Sequence, residues 1–151
     1  MTNSDIEAGL AGFFEQDHRD CDARWTDVEE LLDTSDIDLA RVAWEKYDKS
    51  MRRHLAMEEE VVFPAFDANS SMAGDGPVAG LKMEHKQMLG LLDQIGDAID
   101  EDKAELAMDI GDTLLMLVQQ HNAKEEDMLY PMAENLLSGD WDSLAKLLSE
   151  Y

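Results

Sequence analysis

The second half of this chain restates the first at a distance of 67 residues, and every histidine takes part in the restatement. His18 and His54 stand 36 residues apart, as do His85 and His121. A carboxylate follows each second histidine by four positions, Glu58 after His54 and Glu125 after His121. Both halves then close on an aromatic–proline pair, Phe63-Pro64 and Tyr130-Pro131. A chain with this internal repeat must fold as two copies of one unit packed together. Packing alone gives no reason for all four histidines to keep one offset, whereas a shared binding site does.

Each unit reads as a pair of helices. In the first segment Ala11, Phe14, His18, Cys21, Trp25, Val28 and Leu32 alternate steps of three and four, which is one apolar face of a helix. Val78, Leu81, His85, Met88, Leu92, Ile95 and Ile99 repeat that face 67 residues later. The second segment opens with Ser35 or Asp36 as N-cap and carries Ala40, Tyr47, Met51, His54, Glu58, Val61, Val62 and Ala65. Its counterpart carries Ala107, Leu114, Val118, His121, Glu125, Met128, Leu129 and Met132. The prolines should kink or close the last turns.

Short breaks separate the segments: Asp33 to Ser35, Asp67 to Gly76, and Asp100 to Asp102, with Pro77 placed as the first residue of the third helix. Connections this short join antiparallel neighbours. The expected fold is all-α: an up-down-up-down four-helix bundle with an internal pseudo-twofold repeat. The bundle spans about residues 8–137 of a single domain covering 1–151. A short C-terminal helix over about 140–149 should place Trp141, Leu144, Leu147 and Leu148 on one side and pack across the end of the bundle.

Composition narrows the partners. A formal charge of −23 with only 12 Lys and Arg argues against nucleic acid and anionic membranes, which need clustered cations. Cys21 is the one cysteine, which excludes an intrachain disulfide and suits a reducing compartment. The residues from Met1 to Glu7 show no basic segment leading into an apolar core, and no stretch has the length of a membrane span. The expected setting is cytoplasmic.

Residues four apart on a helix project from one face about 6 Å apart along the axis. His54 with Glu58, and His121 with Glu125, therefore point together into the bundle, and His18 and His85 each add a nitrogen from the other two helices. A single histidine on an apolar face is usually a satisfied core residue. Two buried carboxylates are a different matter, because each costs several kcal/mol unless paired or metal-bound. No Lys or Arg stands on these faces to pair with them. The six side chains His18, His54, Glu58, His85, His121 and Glu125 are the expected metal ligands, of a type that suits iron, manganese or zinc. Each metal would take two imidazoles, and the glutamates could bridge. Asp17 and Glu84 precede His18 and His85 and are expected at the surface, with a role in orienting the imidazoles as the lesser reading. Glu59, Glu60, Glu126 and Asp127 are expected to face solvent.

The pattern H…HxxxE…H…HxxxE, with the runs HLAMEEEVVFP and HNAKEEDMLYP, resembles the hemerythrin-like family, the HHE cation-binding domain, over roughly residues 8–137. The resemblance implies two iron ions with an oxo or hydroxo bridge, Glu58 and Glu125 as bridging carboxylates, and dioxygen or another small oxidant as the partner. The oxygen carriers have a fifth histidine four residues after the third-helix one; that position is Leu89 here, and its repeat mate is Asp22. Asp22 is thus a candidate extra ligand. The carriers also place an aspartate five residues after the last histidine, where this chain has Glu126; the repeat favours Glu125. Three functions compete: a protein that binds or senses dioxygen, a redox enzyme acting on peroxide or nitric oxide or repairing iron–sulfur centres, and an iron-responsive interaction module reporting through its last helix.

Overall fold

A computed structural model describes residues 2–34, 36–71 and 76–151, and among these there is helix and no strand. A short helix α1 (Asn3–Glu7) leads at Gly9 into α2 (Gly9–Asp33). The chain continues with α3 (Ile37–Met57), a wide π-helical turn (Glu58–Val62) and α4 (Phe63–Asn69). The second half repeats the plan as α5 (Val78–Asp100), α6 (Ala104–Lys124), a second π-helical turn (Glu125–Leu129) and α7 (Tyr130–Leu137), after which α8 (Trp141–Leu148) ends the fold. Helix α2 packs on α3 and α5 on α6, and α3–α5 and α2–α6 contacts close the square. This is the expected up-down-up-down bundle.

Local chemistry explains most boundaries. Asp36 caps α3, its Oδ1 accepting from the Leu39 amide at 3.3 Å; the alternative cap, Ser35, lies outside the described residues. Gly9 turns the chain between α1 and α2 with φ +75°, and a Cβ there would stand 2.6 Å from Glu134 Oε1. The expected loop from Asp67 to Gly76 begins later, since Asp67 to Asn69 complete α4; residues 72–75 lie outside the described residues. Pro77 precedes α5 by one residue, already in helical φ/ψ. Between α5 and α6, Asp102 takes φ +57° and its carboxylate meets Arg41 at 3.0 Å, tying this loop to α3.

The prolines do not end their helices. Pro64 and Pro131 stand at the second position of α4 and α7, each just after a π turn. There the Phe63 amide bonds to the Glu58 carbonyl and the Tyr130 amide to that of Glu125, five residues back. The wide turn rotates everything beyond it, so the buried face passes through Phe63 and Phe66, and through Tyr130 and Ala133, while Met128 is exposed and Ala65 and Met132 only half-buried. In α8 the buried residues are Leu144, Ala145 and Leu148; Leu147 falls on the flank and is 50% exposed. Helix α8 packs against α1 and the first π turn, and Trp141 Nε1 donates to the Ile6 carbonyl at 2.8 Å.

The core is two apolar clusters with a polar belt between them. One contains Cys21, Trp25, Tyr47, Met51, Met88, Leu92 and Val118; the other contains Phe14, Met57, Phe63, Leu81, Leu129 and Tyr130. All four histidines fall at the boundary. Trp25 fits against Gly111, where any side chain would collide with its ring.

Candidate metal centre

The belt holds His18 from α2, His54 from α3, His85 from α5, His121 from α6, and Glu58 and Glu125 from the first positions of the two π turns. All six side chains are buried, the two glutamates and His85 completely. Their ligating atoms form two groups. Those of His18, His54 and Glu125 lie within 4.8 Å of one another, and so do those of Glu58, His85, His121 and Glu125. Each half of the repeat thus supplies one imidazole pair.

Both carboxylates stand between the pairs. Glu58 Oε1 is 3.0 Å from His54 Nε2 and 3.7 Å from His85 Nε2. Glu125 Oε1 is 3.1 Å from His18 Nε2 and 3.2 Å from His121 Nε2. Each carboxylate therefore touches one imidazole from each half.

The donors fit a cation better than they fit each other. The Nε2 atoms of His85 and His121 face one another at 3.2 Å. Two imidazoles on one metal at about 2.0–2.1 Å hold their nitrogens roughly 3.0–3.4 Å apart. His54 Nε2 and Glu58 Oε1 are close but misaligned, and both remain without a hydrogen bond, as does Glu125 Oε2. Buried polar atoms without partners are expensive, and here they converge.

Without metal, the electrostatics alternate around the belt. Burial works against the His54 imidazolium, but the Glu58 charge and the Asp17 hydrogen bond outweigh it and hold its pKa up at about 10. His121 is raised in the same sense, burial being overcome by Glu125. Burial lowers His18, and burial with the neighbouring His121 takes His85 down to about 4. Burial tends to raise Glu58, but His54 prevails and its pKa is lowered.

An outer ring of four carboxylates obeys the same repeat. Asp17 Oδ2 meets His54 Nδ1 at 2.7 Å, and its repeat mate Glu84 stands 3.7 Å from His121 Nδ1. Glu59 Oε1 meets His85 Nδ1 at 3.0 Å, and its mate Glu126 stands 3.8 Å from His18 Nδ1. Each imidazole therefore has a carboxylate behind it. Asp17 and Glu59 hydrogen-bond His54 and His85 and orient those rings, whereas Glu126 and Glu84 stand too far off to bond, and Nδ1 of His18 and of His121 has no hydrogen-bond partner. The surface reading of Asp17 and Glu84 fails, since they are only 13% and 14% exposed. Glu59 and Glu126 turn inward as well, because the wide turns bring the position after each buried glutamate beside an imidazole of the other half. Glu60 and Asp127 do face solvent.

Asp22 is exposed on α2 and takes no part in the cluster. Leu89 packs against the apolar core instead. The side chain that does enter the centre is Tyr130. Its hydroxyl lies 3.0 Å from His18 Nε2, 3.1 Å from Glu125 Oε1 and 3.2 Å from Glu58 Oε2. Its repeat mate Phe63 stacks on His85 with centroids 5.5 Å apart. The only signal for Tyr130 in the sequence is that one half ends in Tyr-Pro where the other ends in Phe-Pro.

Residues 10–133 match the family model of the hemerythrin HHE cation binding domain. The chain belongs to this family. No curated protein and no solved structure matches it. As a hemerythrin-type domain the chain has a potential cation site, and its His/Glu cluster is where such a site would lie. The order of the ligand-type residues along an HHE domain is thus joined here to a buried convergence of all six. No helix among the described residues is long and apolar enough to cross a membrane.

Proposed function

We propose that this protein is a non-haem di-iron protein that binds or senses dioxygen or a related small oxidant. The observation that carries the reading is the pairing of four imidazoles across two buried carboxylates, with orphaned donor atoms pointing at one another. His18 and His54 would hold one ion, His85 and His121 the other, and Glu58 and Glu125 would bridge them. Imidazole and carboxylate together suit iron, and also manganese and zinc. Bound iron would supply electrons and an open coordination position.

The chain's own residues restrict what reaches that position. Beside the belt is a cavity of about 10 Å³, lined by His18, His54 and His121 together with Cys21, Met51, Met88 and Val118. That is room for roughly one water-sized molecule. It favours a diatomic or peroxide over any organic substrate. The apolar wall keeps bulk water away, and Tyr130 can donate its single proton to whatever lies between His18 and the glutamates.

The same tyrosine favours a second reading, a redox enzyme acting on peroxide or nitric oxide. A phenol within 3.2 Å of three cluster residues can stabilise, by hydrogen bonding, charge that develops on a bound oxidant, which storage alone does not require. Metal analysis with optical spectra taken anaerobically and then in air separates the cases. Two irons per chain and a band that appears in air and fades on degassing support binding. Irreversible bleaching with steady peroxide consumption supports turnover. Zinc, or no metal, defeats both.

A further inference from the structure

This chain has 35 Asp and Glu against 12 Lys and Arg, yet four of the 12 line one cleft of about 540 Å³. Arg24 of α2 and Lys46, Lys49 and Arg53 of α3 form its walls with Ser50, and no carboxylate lines it. Outside the cleft Arg41 meets Asp38 and Asp102, Arg52 meets Asp48 and Asp93, Lys103 meets Glu101 and Lys124 meets Glu84, while Arg19, Lys82, Lys86 and Lys146 make no ion pair among the described residues. Among the described residues Arg24, Lys46 and Lys49 have no such partner. With acid so abundant, three unpaired cations side by side mark a surface that meets negative charge from outside.

Two further observations say what kind of negative charge. The cleft runs on along the same helix pair past Leu31, Leu39, Val42 and Ala43, where Leu39 is 54% and Val42 51% exposed. Asp27 and Glu30 border that stretch. Cations beside exposed apolar side chains fit a protein surface rather than a simple ion. At the other end, Arg53 Nη1 donates to Asp17 Oδ1 at 3.4 Å, and Asp17 Oδ2 holds His54 Nδ1 at 2.7 Å. The wall of the cleft is thus two contacts from an imidazole of the cluster.

We propose that this cleft docks an acidic one-electron carrier protein, which reduces the metal centre by way of Arg53, Asp17 and His54. The inference rests on the metal-centre reading. Two reduced carriers, docking in turn, leave oxidised for each pair of ferric ions returned to ferrous, and no covalent bond is made or broken. The net charge of −23 repels such a carrier at long range. At about 0.15 M salt the Debye length is roughly 8 Å, so the local cations dominate once the surfaces are close. Electron-transfer encounters are small and weak, and charge chiefly sets their rate.

The test uses iron-loaded full-length protein and a reduced acidic [2Fe–2S] ferredoxin as probe, mixed in a stopped-flow instrument at 0.1 M-range ionic strength. Lys46→Glu with Lys49→Glu should slow reduction by the ferredoxin about tenfold or more, while reduction by dithionite keeps its rate. Titration of the same proteins should show ferredoxin binding weakened by the double variant. Equal ferredoxin rates in wild type and variant, with iron bound, would overturn this proposal and leave the metal centre standing. Failure to bind iron would overturn both. Sedimentation showing a dimer that the double variant dissolves would assign the cleft to a second copy of the chain and overturn the carrier.

Discussion

The phenol oxygen of Tyr130 lies 3.0 Å from Nε2 of His18, at a point where the two halves of the repeat differ in the centre. Phe63, in the matching position, lays its ring on His85 and offers no hydrogen bond. Burial and then the charges of Glu58 and Glu125 push the Tyr130 pKa well above its usual value, so the hydroxyl keeps its proton. Tyr130→Phe introduces the residue the repeat already accepts. It removes a donor to buried carboxylates, which should destabilise the metal-free protein by about 1–3 kcal/mol. Thermal melts of metal-free protein check this. In iron-loaded protein the same change should alter the optical spectrum formed in air while leaving iron content unchanged.

The outer carboxylates are alike by position and unlike by distance. Asp17 makes a 2.7 Å hydrogen bond to His54, whereas Glu84 stands 3.7 Å from His121 and also engages Lys124 at 2.8 Å. Asp17→Asn should therefore weaken metal binding by roughly 10–100-fold, the usual range for such outer partners. Glu84→Gln should cost clearly less. Competition with a chelator of known affinity gives both numbers, and equal losses would mean that distance does not govern the effect.

The elevated His54 pKa has a signed consequence. Its unfolded value is 6.5 and its folded value about 10. The stabilisation is complete below pH 6.5 and drains away as pH rises through 10. Metal-free protein should lose melting temperature across that window, and His54→Gln should lose less. Metal binding runs the other way, since the cation must displace that proton: apparent affinity should rise with pH, with protons released on loading. Melting curves and pH-stat titration read the two effects separately. Parallel melting curves for the two proteins would remove His54 as the source.

The bundle and the six inward side chains were legible because alternating steps of three and four, repeated at 67, admit one helical register. The π turns were not. They add a residue without changing composition, and they show only in where burial moves afterwards. In an α-helix a residue five positions on is turned about 140° away, which is why Tyr130 reads as remote from Glu125 and lies beside it instead. The outer carboxylates were hidden for a related reason. Glu59 and Glu126 keep 40% and 33% of their surface and sit in charge runs, which from the sequence resemble a solvated face. Asp22 was suggested by its relation to Leu89, and its exposure rules it out of the cluster. Helix α1, five residues long, is too short to show a period.

The C-terminal helix touches the turn that carries one of the buried glutamates. Helix α8 packs on the first π turn, which begins with the buried Glu58, and Tyr151 reaches back to bond Glu60 Oε2 at 2.5 Å. Removing metal leaves the Glu58 charge balanced only by imidazole protons, and the π turn that carries it should loosen. Hydrogen exchange in residues 138–151 is then expected to quicken on metal removal, with Leu144 and Leu148 changing most because they share an apolar cluster with Val61 and Val62 of the turn. Tyr151→Phe should quicken exchange at the extreme C-terminus with metal bound, because the Glu60 tie is gone, and leave metal affinity as it was. If exchange in this segment ignores the metal, α8 is a plain cover for the end of the bundle. Coupling confined to residues 58–69 would mean that the signal stops at α4.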